Sequence, residues 1–171
     1  YTLTEYWHAN KFISFNNNAL YILGGYGQIR YKNQLQRYDF TNKQWELLES
    51  KGDFFMPRYL AALGANNTGN KAYIIGGFGS KSGDQTINPK YSYELLTFNT
   101  NDNSFKHVYN FKQPKEEFCF SNSLIIDSTN NHFYGLIHPI DRFNSSLQLI
   151  KGSLSKPEFE LVGESIPYSF H

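Results

Sequence analysis

Two stretches of the chain carry one pattern 52 positions apart: Tyr21-Ile22-Leu23-Gly24-Gly25-Tyr26-Gly27 and Tyr73-Ile74-Ile75-Gly76-Gly77-Phe78-Gly79. Each is an apolar run closed by a glycine pair and an aromatic residue. The landmarks that follow keep their spacing too, because Tyr38 precedes Trp45 by seven positions and Phe98 precedes Phe105 by seven. A recurrent unit of about 50 residues, made of short apolar runs between turn residues, is a small antiparallel sheet repeated side by side. Such units are the blades of a β-propeller. Each hides its apolar faces against its neighbours, so function is expected in the loops and not in the strands.

The unit boundaries follow from the strand and turn signals. The first unit covers about residues 6–50, with strands at 11–15, 19–23, 35–40 and 45–48 separated by the turns Asn16-Asn17-Asn18 and Thr41-Asn42-Lys43-Gln44. The second covers about 56–110, with strands at 57–64, 71–75, 93–98 and 104–109. Its turn clusters, 66–70 and 99–103, are rich in Asn and Asp, which hydrogen-bond their own backbone and tolerate left-handed conformations. A degenerate third unit covers about 117–163, with Leu136-Ile137 standing where the glycine pair is expected. The segment 164–171 resembles the lead-in at Met56-Pro57-Arg58-Tyr59 and is expected to begin a further unit. The fold class is therefore all-β, with about three four-stranded antiparallel blades. Three blades do not close a ring. Either the chain is a piece of a longer propeller, the favoured reading, or two copies complete one through their open blade edges.

Composition agrees. The 171 residues include 15 Phe, 13 Tyr and 2 Trp, and aromatic and β-branched side chains suit pleated, half-buried surfaces. The net charge of +1 is spread without a lysine–arginine run, so no nucleic-acid partner is expected. Apolar runs fall far short of the ~18 residues of a spanning helix, and no membrane insertion is expected. The single cysteine, Cys119, forms no internal disulfide. The chain starts at Tyr1 instead of Met, so an upstream segment is expected. Low charge with many asparagines and aromatics leans towards a bacterial, extracytoplasmic setting.

With the diglycine, the aromatic third strand and the fourth-strand aromatic in place, the sequence resembles the kelch-repeat family. The matching residues are Gly24, Gly25, Tyr38 and Trp45 in the first unit and Gly76, Gly77, Phe98 and Phe105 in the second. The resemblance is close over residues 11–110 and worn over 117–163. These residues serve the fold. Glycine after a buried strand permits positive φ and close approach of neighbouring backbone and rings, and the outer aromatics fill the widening wedge of a blade.

Candidate binding residues lie in the loop after each glycine pair. Gly24 to Tyr38 is 14 positions and Gly76 to Phe98 is 22, so the second loop is eight residues longer. The first offers Arg30 and Tyr31, the second Asp84, Gln85 and Tyr91. Flat amphipathic rings with adaptable polar neighbours suit a protein or glycan ligand. Arg58 and Tyr59 open an inner strand. In related propellers an arginine there clasps a carboxylate at the channel mouth, and the alternative is a salt bridge between blades.

Enzymes of the resembling group include copper oxidases and sugar-acid epimerases. Cys119, between Phe118 and Phe120 on an expected inner strand, is expected to be buried and inert. His8, His107, His132, His138 and His171 show no metal-ligand spacing, and the acidic pair Glu116-Glu117 precedes the third unit. The expected function is non-catalytic binding or sensing, with no cofactor or metal. The alternative is a sugar-acting enzyme of oxidase or epimerase type whose remaining site lies elsewhere.

Overall fold

The computed structural model describes residues 6–140 and 144–169, and every regular element among them is a β-strand. The all-β, propeller-like expectation holds. The first sheet contains β1 (Asn10–Ser14), β2 (Ala19–Gly27), β3 (Arg30–Asp39) and β4 (Gln44–Leu48), antiparallel and in chain order. The second contains β6 (Arg58–Ala65), β7 (Lys71–Gly79), β9 (Glu94–Asn99) and β10 (Ser104–Asn110), and the short β8 (Lys90–Tyr91) caps the end of β7. The third contains β11 (Phe118–Asp127), β12 (His132–Pro139), β13 (Asn144–Ser153) and β14 (Phe159–Ser169). A single parallel bridge, Ser123 to Leu63, joins β11 to β6.

One turn chemistry recurs between strands. The Asp39 carboxylate accepts the backbone N–H groups of Thr41 at 2.8 Å and Asn42 at 3.0 Å. Asp102 accepts from the N–H of Ser104 at 3.1 Å and its hydroxyl at 2.7 Å. Asp127 does the same for the N–H of Asn130 at 3.1 Å. Each carboxylate satisfies turn donors that the ladder cannot reach.

The sheets stack face to face through two apolar cores. Phe12, Tyr21, Leu23 and Leu35 of the first sheet pack on Leu63, Ile74, Leu96, Phe98 and Phe105 of the second. On the opposite face of the second sheet, Tyr73, Ile75, Leu95 and Tyr109 pack on Phe120, Leu124, Phe133 and Ile150 of the third. The inner strands also converge: the Asn10 side-chain amide on β1 donates to Ala61 O on β6 at 2.7 Å and to Asn122 O on β11 at 3.5 Å.

The first glycine of each pair sits at a junction between sheets. Gly24 has φ +66°, and a Cβ there would lie 2.9 Å from Arg58 O of the second sheet. Gly76 has φ +73°, and a Cβ there would lie 2.5 Å from the Phe120 ring of the third. Both the left-handed backbone and the tight stacking therefore require glycine.

Two features depart from the expected strand plan. The linker after β4 forms β5 (Lys51–Gly52), which adds a short parallel strand outside β10. Asp53 then fastens the linker, its carboxylate accepting the His107 N–H at 2.7 Å. At the other end, residues 164–169 do not open a further unit. They continue β14, with Ile166 opposite Leu147 and Tyr168 opposite Ser145. Gly163, at φ +65°, makes this possible by turning the strand at a register shift opposite Gln148. The Gln148 side-chain amide donates to Val162 O at 3.2 Å and covers the irregularity. Pro167 is tolerated because β14 is an edge strand. Phe170 and His171 lie outside the described residues.

Candidate functional site

The loops after the two glycine pairs meet at one end of the first two sheets. The β2–β3 hairpin turns at Gln28 and Ile29, and the longer loop between β7 and β9 reaches back to it. Arg30 and Asp84 form a backbone bridge. The Tyr31 N–H donates to Gly83 O at 2.8 Å, and the Tyr26 hydroxyl donates to Gln85 Oε1 at 2.5 Å. The eight additional residues of the second loop thus dock it on the first. Inside that loop the Asp84 carboxylate accepts the Thr86 N–H at 2.8 Å and the Thr86 hydroxyl at 2.7 Å. Those bonds hold its pKa below the ordinary carboxylate value, with Arg30 adding a smaller pull.

Beneath the loops lies a ring cluster. Tyr31 stacks on Tyr59 at 5.7 Å, Tyr26 lies 5.4 Å from Tyr59, and Phe78 is 4.7 Å from Tyr91. Tyr31 and Phe78 meet edge to face at 5.9 Å. Burial raises the pKa of Tyr31 and of Tyr59 above the ordinary phenol value, and the neighbouring tyrosines push in the same direction. These phenols remain neutral hydrogen-bonding groups at physiological pH. Tyr31 is buried, whereas Tyr26, Tyr59, Phe78 and Tyr91 are half-buried and Arg30 is exposed.

Six of the seven sequence-derived candidates, Arg30, Tyr31, Tyr59, Asp84, Gln85 and Tyr91, therefore belong to this loop end. Arg58 does not. Its side chain is 1% exposed and turns into the second sheet. There Nε donates to Met56 O at 3.0 Å, Nη1 donates to Gly76 O at 3.0 Å, and Nη2 donates to the Glu94 carboxylate. The guanidinium also lies over the Phe55 ring at 5.2 Å. It reaches neither a channel mouth nor another blade, because Glu94 stands on β9 of the same sheet. Burial lowers its pKa, and Glu94 works against that shift. Glu94 itself faces a cleft of about 420 Å³ lined also by Lys81, Lys90, Tyr91, Tyr93 and Glu117.

Sequence reasoning missed the tip of the hairpin. Gln28 at φ +51° and Ile29 at φ +63° both occupy the left-handed region, the backbone of a two-residue turn that normally takes Asn-Gly. For β-branched Ile29 this conformation is an outlier. Its side chain is nevertheless 64% exposed, so no burial offsets the strain. Trp7, also exposed, lies alongside through its backbone bridge to Tyr26. The signal in the sequence was the two-residue gap between Gly27 and Arg30 with no glycine at its centre.

Cys119 lies on the inner strand β11, half-buried instead of fully buried. Among the described residues no group of three or more His, Cys, Asp or Glu side chains is placed to hold a metal ion. No helix among them is long and apolar enough to cross a membrane.

Four-stranded sheets stacked through their faces, with inner strands converging and loops gathered at one end, define a propeller-type repeat protein. The family model for the Kelch motif matches residues 13–52, from within β1 to the end of β5. The first sheet thus carries the match to the Kelch motif, in line with the resemblance to the kelch-repeat family read from the sequence. The motif points in general to a propeller module for protein binding or scaffolding. No curated protein matches the chain.

Proposed function

We propose that the chain is a non-catalytic binding module and that its loop end recognises a protein. The observation that carries this reading is Ile29, a strained residue held in the open at the tip of a hairpin. Strained backbone of this kind clusters at ligand-contact and switch sites. Around it stand Trp7, Tyr26 and Arg30, the residue types that dominate protein–protein hot spots. Ile87, 52% exposed, adds an apolar side chain on the second loop. A glycan would place polar rings and amides at the centre of its site, whereas here Gln85 is already engaged by Tyr26. Buried Tyr31, stacked on half-buried Tyr59, forms the floor underneath.

The test pans a displayed peptide library on the whole chain and probes a glycan array in parallel, with Ile29→Gly and Trp7→Ser as controls. Glycine relieves the left-handed strain, so Ile29→Gly is expected to gain roughly 0.5–1 kcal/mol of stability. It should nevertheless bind the selected peptides about tenfold more weakly, the loss of one hot-spot contact. Binding to glycans alone would refute a protein partner. Peptides indifferent to both substitutions would place recognition on another surface.

A further inference from the structure

One position recurs on all three sheets, and the second sheet reverses its charge. Register lines up Tyr21, Arg37 and Glu46 across β2–β4. The equivalent row is Tyr73, Thr97 and Lys106 in the second sheet, and Tyr134, Lys151 and Glu160 in the third. In the first and third sheets the base pairs with the acid on the neighbouring strand, Arg37 with Glu46 at 2.8 Å and Lys151 with Glu160 at 3.3 Å. The second sheet has no such pair, because Thr97 stands where the base is and Lys106 where the acid is. Two residues further along, Ala19 and Asp39 of the first sheet are answered by Lys71 and Asn99. A self-neutralising pair has given way to a positive surface.

The reversal falls on a cleft of about 390 Å³, within the size range of small-ligand sites. Every residue lining it is polar and none is a carboxylate. Lys71 and Lys106 are exposed, and neither forms an ion pair among the described residues. The Lys71 ammonium lies 5.2 Å from the centre of the Tyr73 ring. Asn70 Oδ1 accepts from Asn66 Nδ2 at 2.7 Å, and Asn99 Oδ1 accepts the Asn101 N–H at 3.0 Å. With those oxygens engaged, the lining offers a ligand a surplus of donors, two ammonium groups and the Nδ2 groups of Asn70 and Asn99. Asp102 in the adjoining turn is tied to the N–H and hydroxyl of Ser104. The second sheet has a neighbour packed on each face, so its cleft does not depend on what lies beyond the first or third sheet.

We propose that this cleft binds an anionic sugar, one that carries a sulfate or phosphate ester. Lysine ammoniums are point charges suited to a tetrahedral oxyanion, whereas a planar carboxylate is better met by the arginine fork. Amide donors beside them suit the hydroxyl and ring oxygens of a sugar. The lining holds no apolar pocket for a peptide side chain, which favours a sugar ester over a phosphorylated peptide. Both ammoniums are exposed, so affinity is modest and falls with salt. The cleft lies where β7 begins, at the opposite end of that strand from the loop after Gly76-Gly77, and the inference does not rest on the loop surface.

Titration calorimetry on the whole chain tests it. The ligands are N-acetylglucosamine 6-sulfate, N-acetylglucosamine 6-phosphate, uncharged N-acetylglucosamine, inorganic sulfate and a phosphoserine peptide. A sugar ester should bind saturably at low salt with Kd of about 0.1–1 mM, and the tighter of the two identifies the ester. Uncharged sugar and inorganic sulfate should each bind at least about tenfold more weakly. Lys106→Glu gives the second sheet the acid that the other two carry, and should weaken ester binding at least about tenfold. Lys106→Arg keeps the charge and should retain it. Lys106 is exposed, so the urea midpoints of both variants should match that of the parent. Ile29→Gly, at the other end of the strands, should leave ester affinity unchanged. The proposal is overturned if neither ester binds saturably, or if inorganic sulfate binds as tightly, which would mean an adventitious ion only. Tighter binding of the phosphoserine peptide, or an ester affinity indifferent to Lys106→Glu, would overturn it equally.

Discussion

Removing Glu94 from beside Arg58 should cost much more than the exposure of Glu94 suggests. The Glu94 side chain is 21% exposed where Arg58 is 1% exposed. Glu94→Ala strands a guanidinium inside the second sheet with the Met56 and Gly76 carbonyls as its remaining acceptors. Deprotonation offers no escape, because arginine keeps its proton in proteins. Breaking one side of a buried ion pair costs about 3–5 kcal/mol. For a chain of this length each kcal/mol moves Tm by about 2–4 °C, so Tm should fall by about 6–20 °C. Arg58→Met behaves differently. It fills the volume with a flexible apolar chain and lets Glu94 rehydrate in the cleft. Its cost is chiefly that of two carbonyls losing donors, about 1–3 kcal/mol each at most. Once Arg58 is methionine, adding Glu94→Ala should cost less than about 1 kcal/mol. Urea midpoints of the four proteins, taken at one concentration so that self-association is constant, close the cycle. The coupling, the difference between the cost of Glu94→Ala in the two backgrounds, should be about 3 kcal/mol. An equal cost for Glu94→Ala in both backgrounds would show that the guanidinium is not held by this carboxylate.

Glycine positions separate strain from crowding. Gly76→Ala meets both a positive φ and the Phe120 ring, and should cost about 2–5 kcal/mol. Gly163→Ala, at φ +65° with nothing within 4 Å, should cost only the strain, about 1–2 kcal/mol; equal urea midpoints would remove the close-approach argument. Stability should also fall in acid. The carboxyl pKa values of Asp39, Asp102 and Asp127 are lowered chiefly by hydrogen bonds from Asn42, Ser104 and Asn130 respectively. Their contribution is full above the unfolded value of about 3.9 and is lost as pH falls through the depressed folded values. Asp102→Asn keeps an acceptor in the turn and should flatten the loss of urea midpoint below about pH 4; an unchanged slope would assign acid sensitivity elsewhere.

The parts of the fold legible in the sequence were those with a local chemical signature. Glycine pairs after apolar runs placed β2 and β7, because left-handed backbone at Gly24 and Gly76 admits little else. Asn- and Asp-rich clusters placed the hairpins, because those side chains bond to their own backbone. The seven-residue spacing of Tyr38–Trp45 and Phe98–Phe105 placed equivalent rows in register. Long-range pairing left no such mark. Lys51 and Gly52 form a strand only because β10 presents an open edge. Residues 164–169 resemble an entry to a new sheet in composition, yet the bulge at Gly163 and the amide of Gln148 keep them on the old one.

The site was legible in the same uneven way. Loop length marked where the two loops would meet, and six of the seven candidate residues came together there because the eight-residue insertion docks one loop on the other. Arg58 failed for a reason that one-dimensional reading does not supply. Its position at the head of an inner strand is compatible with two directions, outward to the channel or inward across the sheet. The choice is made 36 positions away by Glu94, whose carboxylate pairs with the guanidinium across β7. Ile29 failed oppositely, since an apolar residue in a turn looks like noise until its φ is known. Strain without burial is a property of coordinates, and on this repetitive frame it is the feature on which the proposed contact role of Ile29 rests.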